Sequence, residues 1–299
     1  MFDLRYHVAS LAAVFLALII GILLGVGISS GGFIKKSERS LLNRQIADLQ
    51  GRLDAATRRG SDLSRTQRAA QTFIKESYPA LMAQRLKGKR VVVVFVGAAD
   101  SRLRSLVERT LLDAGAPEPL RIRALKVPID VPAVDAVLAK RPALNRYVGD
   151  RKLDELGQRL AQELVAGGDM SGWQALSGQL LDLRAGTDKP PADAVVVLRT
   201  ADPQRAGTAR FLAGFYRGLA ASNVPAVGAE TTGARQSAVD VYAKAHLSSV
   251  DDLDTLAGRL ALALLLGGGK PGQYGVKQSA KDGVVPPVET LALPAAASG

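Results

Sequence analysis

The sequence predicts an α/β protein: an N-terminal transmembrane helix, a long coiled-coil helix, and then a mostly parallel α/β sheet domain. Three observations carry this. Residues 8–28 contain no charged side chain. Apolar residues then recur at alternating spacings of four and three from Leu42 to Leu81. Beyond residue 90, short β-branched runs alternate with helical segments, the pattern of a parallel sheet with right-handed crossovers. The expected division is 1–34 for a membrane anchor, 35–87 for a coiled-coil stalk, 88–278 for the α/β domain and 279–299 for a disordered tail.

The first element is the run from Val8 to Ile28. At a rise of 1.5 Å per residue it covers about 30 Å, the hydrocarbon thickness of a bilayer. Val8 and Phe15 belong to its apolar surface, and Gly21 and Gly25 form a GxxxG pair that permits close helix–helix approach. A cleaved signal peptide is the competing reading. It calls for an apolar core of about 7–15 residues and a small-x-small cleavage site, which Gly27-Ile28-Ser29 supplies poorly. Lys35, Lys36 and Arg39 outnumber Arg5 at the two ends. By the positive-inside rule, charge alone favours a cytoplasmic C-terminus.

After the Ser29-Ser30-Gly31-Gly32 break, a proline-free stretch extends to Tyr78. Its seam comprises Leu42, Ile46, Leu49, Leu53, Ala56, Gly60, Leu63, Gln67, Ala70, Ile74, Ser77 and Leu81. Such a pattern over more than five heptads argues for a coiled coil. Gly60, Gln67 and Ser77 weaken the seam, and Pro79 can kink or end the helix. Three ways to cover the seam stand open: a second copy of the chain, giving a homo-oligomer, the helix folding back, or a helix of a coiled-coil partner protein.

In the α/β domain, Arg90-Val-Val-Val-Val-Phe-Val-Gly97 predicts a strand buried on both faces. A helix over 100–114, a strand over 120–127, helices over 132–140 and 151–166, and a shorter helix around Trp173 follow. Ala194–Leu198 predicts a strand, 203–222 a helix, 224–229 a strand, and 251–266 an apolar helix closed by Gly267-Gly268-Gly269. Parallel sheets bind ligands beyond the carboxyl ends of their strands. There Asp100, Asp202 and Glu230 are the candidate ligand or partner contacts, with helix capping as the plainer role of Asp100 and Asp202. Asp251, Asp252 and Asp254 fall in the expected first turn of the last helix, where negative charge complements the dipole. Asp251, Asp254 and Arg259 form a second candidate contact cluster, with capping and core packing as its alternative.

Composition limits the chemistry. The chain has 299 residues, no cysteine and two histidines, so thiolate metal sites, disulfides and cysteine nucleophiles are excluded. No G-x-S-x-G elbow, phosphate loop or dinucleotide fingerprint is present. No cofactor and no catalytic residue is assigned, and the chain is expected not to be an enzyme. Of the net charge of +11, residues 35–90 carry 14 Lys and Arg against 5 Asp and Glu. A basic segment beside a membrane helix attracts anionic lipid headgroups or anionic envelope polymers. Lacking interleaved aromatics, it does not read as a nucleic-acid surface.

Two stretches carry a family resemblance: Phe2-Asp-Leu-Arg-Tyr-His-Val-Ala-Ser-Leu-Ala-Ala-Val-Phe-Leu-Ala-Leu with Gly21 and Gly25, and Leu247–Arg259 followed by Gly272-Gln-Tyr-Gly-Val-Lys277. Together with the order of elements up to about residue 278, they resemble the actinobacterial MctB copper transporter family. The resemblance adds Tyr274 and Lys277 to the candidate contacts. It implies a cell-envelope protein whose main body lies outside the inner membrane. The implied role is in copper export, copper resistance or outer-membrane permeability, and an oligomer or partner would have to complete any path for copper. Relatives are also linked to cell division as coiled-coil partners of a peptidoglycan hydrolase. Copper is thus a partner by resemblance alone. Copper(I) favours thiolate and thioether ligands, and Met1, Met82 and Met170 are the only sulfur atoms in the chain. No metal-ligand set is assigned.

Overall fold

The structure is a computed structural model. It describes residues 4–29 and 32–288, with side chains at 10–25 and 40–288. The chain divides into two compact units, residues 1–70 and 71–299.

The first unit is helical. Helix α1 spans Leu4–Ser29, and α2 spans Gly32–Met82 and ends in the second unit. The predicted transmembrane helix is corrected here. Among the described residues no helix is long and apolar enough to cross a membrane. The side chains described in α1 are those of residues 10–25, about 24 Å along the axis, short of a bilayer core of about 30 Å. The span inferred from sequence needed the whole run from Val8 to Ile28, whose ends lie outside the described side chains. The fold class is therefore α/β with a mixed sheet, preceded by helices. In α2, the predicted seam residues Leu42, Leu49, Leu53 and Leu63 are more than half exposed in the single chain. Pro79 sits in the final turn, and the helix runs past it to Met82.

The second unit is built on one sheet: β1 (Val91–Val96), β2 (Arg121–Leu125), β3 (Leu181–Gly186), β4 (Ala194–Arg199), β5 (Ala226–Ala229), β6 (Ser248–Val250) and β7 (Gln273–Tyr274), in the order β3-β2-β1-β4-β5-β6-β7. All neighbours are parallel except β2 and β3. The valine run of β1 follows from its central place. Val92, Val94 and Val96 face one core cluster, while Val91, Val93 and Phe95 face another, so neither face can carry polar side chains. The first core is covered by α4 (Val131–Ala139), α5 (Leu153–Ala166), α6 (Ser171–Leu180), α7 (Ala206–Ala220) and α8 (Val239–Lys244). The second is covered by Tyr78 and Met82 from the end of α2, by α3 (Ser101–Asp113), and by α9 (Leu256–Leu266).

Helices α5 and α7 cross at a close approach that glycine permits. A Cβ on Gly214 would lie 2.0 Å from the Asp154 carbonyl oxygen, and one on Gly157 would lie 2.2 Å from that of Phe211. Strand β2, between β3 and β1, carries two fully buried arginines. Arg121 donates to the carbonyls of Leu164 and Pro190, and Arg123 to that of Ala185 and to Asp188. Burial, with Arg123 adjacent, pulls the Arg121 pKa down to about 10.

Two sequence expectations are corrected in this unit. The acidic block does not open the last helix: α9 begins at Leu256 and is capped by Thr255, whose side chain accepts from the Gly258 N–H. Residues 248–250 form β6 instead, followed by a turn. Asp202 is not a cap either, because α7 starts at Ala206 after Arg205. Residues 279–288 of the expected tail are placed. Asp282 accepts from the Gln273 N–H at 2.7 Å, and Gly283 from that of Gly275 at 3.0 Å. Residues 289–299 lie outside the described residues.

Candidate functional site

The chain runs from β1 outward to β2 and β3, then returns to β4 on the other side of β1. Loops leaving β1 and β4 must diverge there, and open α/β sheets place their ligand crevices at this point. A cavity of about 670 Å³ occupies it. Its walls come from Asp100, Arg102, Leu103 and Leu106, from Arg199–Asp202 and Ala229–Gln236, and from Asp254 and Arg259.

The floor is tight. Thr200 Oγ1 donates to the Ala98 carbonyl at 2.8 Å, and the Thr200 and Ala201 N–H groups both donate to Val96 at 3.0 Å. Gly97, at φ +109°, has no room for a side chain: a Cβ would lie 2.7 Å from Thr200 Oγ1.

The candidate carboxylates are placed as follows. Asp100 caps α3, accepting from the Leu103 N–H at 2.8 Å, and lines the cavity. Asp202 is exposed at the cavity mouth. Glu230 is buried and accepts from Ser237 Oγ, the Ala238 N–H and Lys277 Nζ, each at 2.7 Å. Lys277 Nζ also donates to the Thr231 carbonyl at 2.8 Å. Asp254 accepts from the Thr232 N–H at 2.7 Å and hydroxyl at 2.6 Å. Partial burial raises its pKa, but these bonds outweigh burial and hold it below the usual carboxylate value. Asp251 is fully buried and accepts from the backbone N–H groups of Val276 and Lys277. It thereby anchors the turn after β7, where Tyr274 is buried and donates to the Lys270 carbonyl at 3.2 Å.

The structure thus brings Asp100, Asp202, Glu230, Asp254 and Arg259 to one cavity, with Lys277 bonded to its wall. Asp251 and Tyr274 do not line it. Neither do Phe15, Gly21 and Gly25, which lie on α1, nor Leu42, Ile46, Leu49, Leu53, Leu63 and Ile74, which lie along α2. The Val8 side chain lies outside the described residues.

Sequence reading singled out Arg259 and Lys277 but missed the other cations. Arg102, Arg199 and Arg235 line the cavity with Arg259. None of the four forms an ion pair among the described residues, although arginines elsewhere in the unit pair with Asp193, Glu108, Glu163, Asp150 and Asp154. Arg199 donates to the Gln236 carbonyl at 2.5 Å, and Arg259 Nε is buried without a partner. One signal was present in the sequence: Arg199 ends the apolar run of β4.

Nothing at this cavity suits copper(I). Met82 lies in the core, and Met170 accepts at Sδ from Arg121 at 3.4 Å. His246 is exposed at a left-handed turn after α8. Among the described residues, no group of three or more His, Cys, Asp or Glu side chains could hold a metal ion. What the cavity can do is hold a polar, anionic molecule between guanidinium groups.

Comparison with known proteins places the whole chain rather than the cavity. Residues 1–286 match the family described as "Copper transport outer membrane protein, MctB". Proteins named "Copper transporter MctB" from Mycobacterium bovis and Mycobacterium tuberculosis are each 27% identical to it over 323 residues, covering 94% of this chain and 98% of theirs. A match that runs from the first helix through the sheet and the turn carrying Lys277 is a match to the full architecture, and the chain belongs to the MctB family of copper transport proteins.

Proposed function

We propose that this chain is a non-enzymatic copper-handling protein of the cell envelope that works as a homo-oligomer paired through α2, with copper as cargo and the α/β unit as a binding module. Family membership supports the link to copper. The observation that carries the assembly is the seam of α2: Leu42, Leu49, Leu53 and Leu63 are 55%, 63%, 67% and 69% exposed in the single chain, at heptad spacing. A stripe of this kind is self-complementary in a parallel, in-register pair, so a second copy buries it fully. The basic charge of residues 35–90 supports contact with anionic lipid headgroups or envelope polymers.

A double substitution, Leu49→Asp with Leu53→Asp, tests this. It places like charges inside the seam and is expected to convert the oligomer to monomer in light scattering. Copper tolerance of cells relying on the variant is expected to fall with it. Monomeric wild-type protein, or full copper tolerance in a monomeric variant, would overturn the reading.

A second reading, an adaptor that holds an envelope enzyme such as a peptidoglycan hydrolase, is favoured by one feature. Gly60 and Gln67 interrupt the seam, which weakens self-pairing and leaves room for a different helix. Wild-type protein that stays monomeric alone and pairs only with such an enzyme would select it.

A further inference from the structure

We propose that the cavity at the β1/β4 switch point binds a small hydroxyl-bearing organic phosphate, of the nucleotide or sugar-phosphate class. This rests on the reading of the α/β unit as a binding module and names what the module takes.

The charge of the cavity is the first ground. Its lining carries Arg102, Arg199, Arg235 and Arg259 against Asp100, Asp202, Glu230 and Asp254. The formal balance is misleading, because three of the four carboxylates are committed elsewhere, and only Asp202 stays open. Glu230 is held by Lys277 at 2.7 Å, Asp254 by Thr232, and Asp100 by the first turn of α3. The guanidinium groups have no carboxylate among the described residues. Arginines without a carboxylate partner, from the start of α3, the end of β4, the 231–236 loop and α9, form a fork-shaped donor set suited to phosphate, although Arg199 also donates to Gln236 and Arg259 also bonds Tyr78. Arg259 adds a buried Nε with no partner, a donor that a bound anion can satisfy.

The second ground is backbone. Helix α3 has 13 residues and opens at the cavity, and Asp100 takes only the Leu103 N–H. The N–H groups of Ser101 and Arg102 have no acceptor within the helix, and the dipole favours an anion there. The third ground is size and the exposed carboxylate. A volume of about 670 Å³ lies in the range of organic ligands and exceeds what a free phosphate fills. Among the described residues, none donates a hydrogen bond to the carboxylate of Asp202 at the mouth, and it can accept from hydroxyls of a sugar. Thr231 offers a further hydroxyl in the lining.

The test is calorimetric titration of the full chain with uridine diphosphate, glucose 1-phosphate, inorganic pyrophosphate and citrate. At least one of the first two is expected to bind more tightly than pyrophosphate and citrate. Arg102→Met and Arg235→Met, both at exposed side chains, are each expected to weaken that binding by about tenfold or more. Circular dichroism of each variant checks that the fold is kept. Binding of pyrophosphate or citrate alone, no binding in any arm, or unchanged affinity in both folded variants would overturn the proposal. None of those results touches seam-dependent assembly or copper tolerance, so the two readings fail separately.

Discussion

Replacing Lys277 with methionine tests whether the turn after β7 locks the cavity wall. Lys277 Nζ bridges Glu230 Oε1 at 2.7 Å and the Thr231 carbonyl at 2.8 Å. The two side chains are 21% and 6% exposed, so the pair is largely removed from water. Breaking a buried pair from one side costs about 3–5 kcal/mol, because the remaining charge is stranded. Glu230 keeps its bonds from Ser237 and Ala238, and Lys277 is partly wet, which lowers the figure to about 2–3 kcal/mol. Loss of the bond to Thr231 adds roughly 1 kcal/mol to the cost. The expected cost is therefore about 3–4 kcal/mol, a fall in melting temperature of roughly 6–16 °C for a unit of this size. The single tryptophan, Trp173, is buried, so urea unfolding followed by its fluorescence reports the transition. Removing the stranded charge as well, in a Glu230→Gln/Lys277→Met double variant, is expected to recover about half the loss. A Lys277→Met variant within about 0.5 kcal/mol of wild type, or a double variant no more stable than the single, would refute the reasoning.

Three further predictions use other parts of the structure. Asp252 is fully buried with Oδ1 unpartnered, and burial raises its pKa despite the bond from Thr255. A carboxylate raised on folding binds its proton more tightly in the folded state, so its ionisation lowers stability as pH rises above the unfolded value of about 4. Asp252→Asn is thus expected to be neutral or stabilising at pH 7, with any gain vanishing in acid; a marked loss in neutral urea titrations would contradict this. Gly214→Ala drives a Cβ to 2.0 Å from the Asp154 carbonyl. Backbone cannot yield there cheaply, so thermal unfolding should show a loss of about 2–3 kcal/mol. Asp193 is held at a pKa of about 2 by its hydrogen bonds and charge pairing with Arg90. Its contribution is complete above the unfolded value of about 4 and is lost as pH falls toward 2. After allowance for partial exposure it is about 1 kcal/mol, and Asp193→Asn should remove that part of the acid sensitivity in a pH series of melts.

The contrast between what was legible in the sequence and what was not follows from which signals are local. Strands β1, β4 and β5 stood out because a strand covered on both faces admits only apolar residues, as Val91–Val96 shows. The helices of the α/β unit other than the six-residue α8 stood out in the sequence, and Asp100 proved a cap because capping is decided within four residues. Strand β3 escaped notice. It is an antiparallel edge whose residues 182–186 alternate between exposed and half-buried. Strands β6 and β7 are three and two residues long, too short to show a period. The block from Asp251 to Asp254 looked like a helix start, since clustered acids suit a dipole. In the fold, Asp251 binds the turn after β7, 25 residues away, and Thr255 takes the cap.

Sequence by itself determined the alternation of strands and helices in the second unit and its hydrophobic layers, because side-chain burial repeats along the chain with the period of the element. Tertiary structure alone decided the site. Arg102, Arg199, Arg235 and Arg259 are separated by up to 157 positions in the chain, and they converge only because the strand order reverses between β1 and β4. Lys277 neutralises Glu230 across 47 positions, which takes that carboxylate away from the arginines of the cavity. Pairing of this kind depends on distances in space, and no periodicity in the sequence encodes it.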